Sequence, residues 1–140
     1  MTAHSDRVHL ILIKLDMDTS KREQLSKNFF RDEFACKCGC GSDRIDPDLI
    51  SKLQKLRDVY AKPMSITSGV RCSKHNAETP GASTFSAHIF GLACDFVCTD
   101  SAERWELINM AMKIFSRVGL YDGWIHVDID AVKKQQVLWC

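Results

Sequence analysis

In the stretch Gly123–Asp130, GWIHVDID, apolar and polar residues alternate without a break. Successive side chains of a β-strand point to opposite faces, so Ile125, Val127 and Ile129 form one apolar face. Trp124, His126, Asp128 and Asp130 form the other, and His126 and Asp128 point the same way, roughly 7 Å apart along the strand. The same test on GLACDFVC (Gly91–Cys98) places Cys94, Phe96 and Cys98 together and Asp95 opposite, with Ala93 and Val97. A carboxylate held beside such small and apolar groups costs several kcal/mol unless it meets a cation, a set of donors or a metal. The fold must therefore give these strands one greasy face and one face that carries charge.

The rest of the chain supplies the greasy partner. DPDLISKLQKLRDVY (Asp46–Tyr60) reads as a helix, with Asp46 as N-cap, Pro47 in the first turn and Leu49, Ile50, Leu53, Leu56 and Tyr60 on one stripe. SAERWELINMAMKIFSRV (Ser101–Val118) reads as a second amphipathic helix, capped by Ser101 and ending near Gly119, with Trp105 and its other apolar side chains in the core. Short strands are expected at Val8–Leu15, Pro63–Ser68, Gly91–Cys98 and Gly123–Asp130, with QQVLWC pairing beside the last. Thr19–Asn28 has weak helical character. Gly69–Ala87, rich in Ser, Gly, Pro, Asn and Thr, reads as one long loop of the kind that often carries function. Irregular mixing of helices and strands makes the expected class α+β, a small antiparallel sheet with flanking helices.

At 140 residues the chain suits a single domain, with no linker or repeat. A net charge of +1, with both signs interspersed, argues against a nucleic-acid binder. No segment reaches the roughly 20 apolar residues of a membrane span. VHLILIKLDMD is too short for one and lacks a cleavage site, so synthesis in the cytoplasm without a signal peptide is the expectation. Reduced thiols are then expected for most of the seven cysteines. FACKCGCG could hold a second, structural metal on Cys36, Cys38 and Cys40 with Cys72 or another thiol, but its spacing is unlike the common C-x-x-C knuckle. Reduced thiols or opportunistic disulfides are the simpler reading, and Cys94 and Cys98 read as core filling.

His88, Asp95 and His126 offer what an open zinc site takes: two imidazoles and a carboxylate, leaving a fourth position for water. A loop histidine and a strand aspartate that caps an amide are the plainer alternatives.

SGVRCSKHN, then SAHIFGLACDF, then IHVD resembles the zinc D-Ala-D-Ala carboxypeptidase family, in particular its phage and prophage murein peptidases. LSKNFFRDEFACKCGCG and DPDLISKLQKLRD are similar to the lead-in of that type. The resemblance runs from about Leu25 to Asp130, giving a family-like core at 25–130 behind an N-terminal extension at 1–24. It implies the fold shared with hedgehog signalling domains and one catalytic zinc per chain on His88, Asp95 and His126. Arg71 matches the arginine that faces the scissile carbonyl. Ser86 matches a serine near the substrate backbone, and Ser68 shares the motif of Arg71; both serines are equally readable as shaping loops. His75 matches a histidine read as structural.

Many members of the family carry an acid three residues before the last zinc histidine, where this chain has Gly123. Asp128 is then the candidate general base, with orientation of a ligand histidine as its rival role, and Asp122 is a weaker candidate. Only Gly81 remains of the glycine pair usual after the HN motif, which could reshape the substrate loop. The resemblance implies a peptidoglycan peptidase cleaving bonds that involve D-amino acids, or an L-Ala–D-Glu-type bond; a monomer is the separate expectation. It would reach the wall with a holin-like partner or by virion delivery, in phage lysis or wall remodelling. A non-catalytic zinc-containing wall or virion binding module is the alternative.

Overall fold

The computed structural model describes residues 22–140. The strand expected at Val8–Leu15 and most of the N-terminal extension lie outside these residues. Three helices, α1 (Pro47–Tyr60), α2 (Ser73–Glu78) and α3 (Ser101–Ile114), accompany five strands: β1 (Ile66–Ser68), β2 (Ala93–Val97), β3 (Arg117–Tyr121), β4 (Trp124–Asp128) and β5 (Val137–Trp139). Single 3₁₀ turns lie at Arg31–Phe34 and Ala87–Phe90. The strands form one sheet in the order β1-β2-β4-β3-β5. Every pair is antiparallel except β3–β5 at the edge, which is parallel. The class is α+β, a sheet with α1 and α3 packed against one face.

Helix α1 forms for the reasons its sequence gives. Asp46 accepts the Asp48 amide at 2.8 Å, Pro47 occupies the first turn, and Leu49, Ile50, Leu53, Leu56 and Tyr60 are buried. The core joins this stripe to Leu107 and Ala111 of α3 and to Cys94, Phe96, Val118, Ile125 and Val127 of the sheet. Alternation along β2 and β4 thus sends the apolar set towards the helices, and Cys94 and Cys98 lie in that core. Burying a leucine such as Leu53 is worth about 1.5–3 kcal/mol.

The structure departs from the sequence reading in the second half of the chain. Helix α3 starts after Asp100, whose carboxylate accepts the Glu103 amide at 2.9 Å, and not after Ser101. It ends at Ile114, because Phe115 turns to extended backbone (φ −109°, ψ 137°). The residues beyond it, RVGLY, alternate and form β3, with Val118 and Leu120 on the core and Arg117 and Tyr121 on the opposite face. An Asp-Gly pair then makes the two-residue hairpin to β4, Tyr121 facing Trp124. Since β2 and β3 flank β4, the C-terminal segment pairs with β3 and not with β4. Trp105 is 74% exposed and not in the core. At 100° per residue it lies on the far side of the helix from Leu107 and Ala111. The long loop contains α2, whose N-cap is Cys72. Residues 22–28 are not helical; Gln24 makes an isolated bridge to Phe30.

Candidate metal centre

Register builds the centre. Asp95 of β2 lies directly across from His126 of β4, both on the face away from the helices. His88 arrives from the Ala87–Phe90 turn, which Ser86 caps by accepting the His88 amide at 3.3 Å. One ligand atom from each of His88, Asp95 and His126 lies within 4.8 Å of the other two. Asp95 Oδ1 is 2.8 Å from His126 Nδ1 and 3.3 Å from His88 Nε2. All three residues are at least nine-tenths buried.

The proton inventory of this cluster calls for a cation. His88 Nδ1 lies 2.7 Å from the Gly69 carbonyl, which can only accept, so that nitrogen carries a proton. In a neutral ring Nε2 is then bare and faces the Asp95 carboxylate, acceptor against acceptor. His126 stands between two carboxylates, with Nδ1 on Asp95 and Nε2 2.8 Å from Asp128 Oδ2. A neutral His126 can satisfy only one of them. Burial works against a charged His126, but hydrogen bonds to Asp128 and Asp95 and their charges outweigh it and raise its pKa above the ordinary histidine value. Burial likewise opposes ionisation of Asp95, yet the bonds and charges of His126 and His88 hold its pKa well below the usual carboxylate range. Two imidazole nitrogens and a carboxylate oxygen directed at one point fit a zinc ion, with His88 Nε2, Asp95 and His126 Nδ1 as its holders.

Asp128 stands behind this group. It is 2% exposed and contacts the far side of the His126 ring. Its Oδ1 accepts from Arg117 Nε at 2.7 Å and from the Asp130 amide at 3.1 Å. Burial pushes its pKa up, but His126, the Asp130 amide and Arg117 overcome this and keep it low. A carboxylate bonded to the outer nitrogen of a ligand histidine fixes the ring's tautomer and direction.

The cluster forms the floor of a cleft of about 420 Å³. Arg71 and Ser86 line it on one side, with the loop Thr79–Ser83; Tyr121, Trp124, Trp139, Arg117 and Lys133 line the other. Arg71 is held from behind by Asn76 Oδ1 at 3.0 Å and at long range by Ser68 Oγ at 3.5 Å. Ser68 is not among the residues lining the cleft and supports Arg71 instead. Asp122 is exposed on the hairpin and also absent from the lining. Gly123 beside it has φ +85°, a conformation that favours glycine, so an acid at this position would be strained.

Sequence reasoning missed Arg117 and Trp139. Trp139 Nε1 donates to Tyr121 Oη at 2.9 Å, and the indole lies 5.4 Å from the His126 ring, centroid to centroid. It lies flat against β3 because residue 119 is glycine: a Cβ there would come within 2.6 Å of the indole. The signals were present, as the alternation of RVGLY and the Asp-Gly turn, but were absorbed into the preceding helix. Among the described residues no helix is long and apolar enough to cross a membrane.

A family model described as Peptidase M15 matches residues 27–128, well over half of the chain and a span that holds every residue of the cluster. No curated protein matches the chain.

Proposed function

The chain belongs to the peptidase M15 family, and on that premise we propose that it is a zinc-dependent peptidoglycan peptidase cleaving stem-peptide or cross-link bonds that involve D-amino acids. The observation that carries the reading is the convergence of His88, Asp95 and His126 at the floor of a cleft whose wall presents Arg71. Bound zinc would supply Lewis-acid chemistry there, polarising the scissile carbonyl and acidifying a water.

The chain's own groups do the rest. Arg71 offers its guanidinium to the oxygen on which charge develops, and the Asn76 and Ser68 contacts limit its motion. Asp128 fixes the His126 ring through Nε2 and is itself fixed by Arg117, which supports a positioning role over that of general base. Asp95 and Asp128 are the only carboxylates among the residues lining the cleft; with Asp95 committed to the ion, Asp128 is the one side-chain carboxylate left for proton transfer, and its bonds to His126 and Arg117 weigh against that role. The Ser86 hydroxyl accepts the His88 amide and lines the cleft, and on this reading it would meet a substrate backbone group. Trp139, Tyr121 and Trp124 offer aromatic surface to the rest of the stem peptide. Access to the wall would come with a holin-like partner or by virion delivery, in lysis or wall remodelling.

Digestion of purified sacculi, read by mass spectrometry of the muropeptides, tests this. Wild-type protein should release peptides, chelation should stop it, and His88→Ala should release none. A second reading rests on Gly123 and the absence of an unengaged acid in the cleft: a zinc-containing wall-binding module. It predicts co-sedimentation with sacculi and no new products.

A further inference from the structure

One cluster has no part in that chemistry. Cys36, Cys38, Cys40 and Cys72 each offer a sulfur, all within 4.8 Å of one another. Cys36 Sγ is 3.4 Å from Cys38 Sγ, and Cys38 Sγ is 3.6 Å from Cys72 Sγ. None of the four is in a disulfide. Four sulfurs at about 2.3 Å from a tetrahedral zinc lie roughly 3.8 Å from each other, so the observed spacings are those of a site that needs little adjustment to close on an ion.

The backbone is shaped to this end. The Cys36 amide donates to Ser42 O at 2.7 Å and the Gly39 amide to Cys36 O at 3.2 Å, closing residues 36–42 into a tight loop. Gly39 and Gly41, between and after the clustered cysteines, have φ of +80° and +86°. Cys72 comes from a distant part of the sequence, as N-cap of α2. Amide donors already point at sulfur: Cys72 N to Cys36 Sγ at 3.4 Å and His75 N to Cys72 Sγ at 3.3 Å. His75 Nδ1 lies 3.3 Å from Cys36 Sγ. The amide N–H groups offset the negative charge that thiolates bring to a metal.

We propose that Cys36, Cys38, Cys40 and Cys72 hold a second zinc ion in a closed four-thiolate site. Four protein ligands leave no corner for water or substrate, so the ion is structural. Soft thiolates favour zinc over magnesium or calcium. The site clamps the 36–42 loop to the residue that follows Arg71 and to the start of α2, which carries Asn76, the partner of Arg71. The second ion thus anchors the segment that presents the guanidinium to the cleft, and this holds whatever reaction the cleft performs.

The test uses the full-length reduced protein, freed of metal and titrated with Co²⁺. Thiolate ligation gives an intense sulfur-to-cobalt charge-transfer band in the near ultraviolet, which a His₂Asp site does not. The band should appear in wild type and persist in His88→Ala. Elemental analysis of zinc-reconstituted protein should give about two ions per chain in wild type and about one in either His88→Ala or the Cys38→Ser/Cys40→Ser double variant. A wild-type protein that binds Co²⁺ without the band overturns the proposal, as does a cysteine variant that keeps two zinc ions. The wild-type spectrum decides the question even if the cysteine variant does not fold.

Discussion

The two clusters of metal-ligating side chains come from different parts of the fold. His126 and Asp95 sit opposite each other on central strands of a sheet, with hydrogen-bonded neighbours on both sides and a hydrophobic core beneath. The cysteines sit on a loop and a helix cap, and two of the four are exposed. In the first cluster register fixes Asp95 and His126 and the Gly69 carbonyl holds the His88 ring, and it offers three ligands. The second offers four and has little but its own short loop to hold it. A scaffold that stays in shape without its ion can leave a coordination position open for chemistry, whereas a loop site gains its order by filling every position. That contrast supports the proposed division, with the strand cluster given to catalysis and the cysteine cluster to architecture.

The largest effect should come from breaking the strand cluster alone. Asp95→Ala should reduce release of peptides from sacculi by more than the roughly 10²–10³-fold that one oxyanion donor supplies. The cobalt–thiolate band should be unchanged; its loss would mean that the two clusters are not independent. Next in size is Arg71→Ala, expected to lower kcat by about 10²-fold or more with zinc content intact. If the zinc content falls as well, Arg71 is holding the site together and is not acting on substrate.

Asp128→Asn separates positioning from base catalysis. A positioning role predicts about 10–100-fold weaker zinc binding, measured by competition with a chromophoric chelator. A kcat loss with unaltered zinc affinity would restore Asp128 as the base.

Acid–base linkage sharpens the contrast further. The low folded pKa of Asp95 contributes stability above the unfolded carboxylate pKa and loses it as pH falls through the folded value. The raised pKa of His126 contributes stability below the unfolded histidine pKa and loses it as pH rises through the folded value. Metal-free protein should therefore resist urea best between about pH 4 and 6.5, the unfolded values of the two groups. Zinc should remove the loss on the alkaline side, because the ion takes the place of the proton on His126. A flat profile in the metal-free protein would contradict the proton inventory of the cluster.

Much of the strand cluster was legible in the sequence, and the cysteine cluster less so. Parity along WIHVDID and LACDF separates core from chemistry because the period of a strand is two and the core tolerates no unpaired charge. Asp46, Pro47 and the Leu49–Tyr60 stripe define α1 because cap, first turn and stripe agree. Helix α3 misled because Phe115–Val118 continue its apolar pattern, and only the extended turn at Phe115 ends it. Losing β3 in that helix also hid Arg117 and the parallel pairing that brings Trp139 to the cleft. The cysteines could not be placed by spacing, since what joins Cys72 to Cys36–Cys40 is tertiary packing across more than thirty residues.

The smallest expected effect checks the corrected helix. Trp105→Ala should change stability by no more than about 0.5 kcal/mol, as for a surface site, while Leu53→Ala should cost about 2–5 kcal/mol. Urea denaturation of the two variants makes the comparison, and a Trp105 loss as large as that of Leu53 would return the indole to a buried interface.

The central claim concerns where the catalytic ion sits. Anomalous scattering at the zinc edge from crystals of the zinc-loaded protein measures this directly. The account predicts a peak about 2.0–2.2 Å from His88 Nε2, an Asp95 carboxylate oxygen and His126 Nδ1, with solvent as the remaining neighbour. No peak between these three side chains, or a fourth protein ligand closing the site, would contradict it.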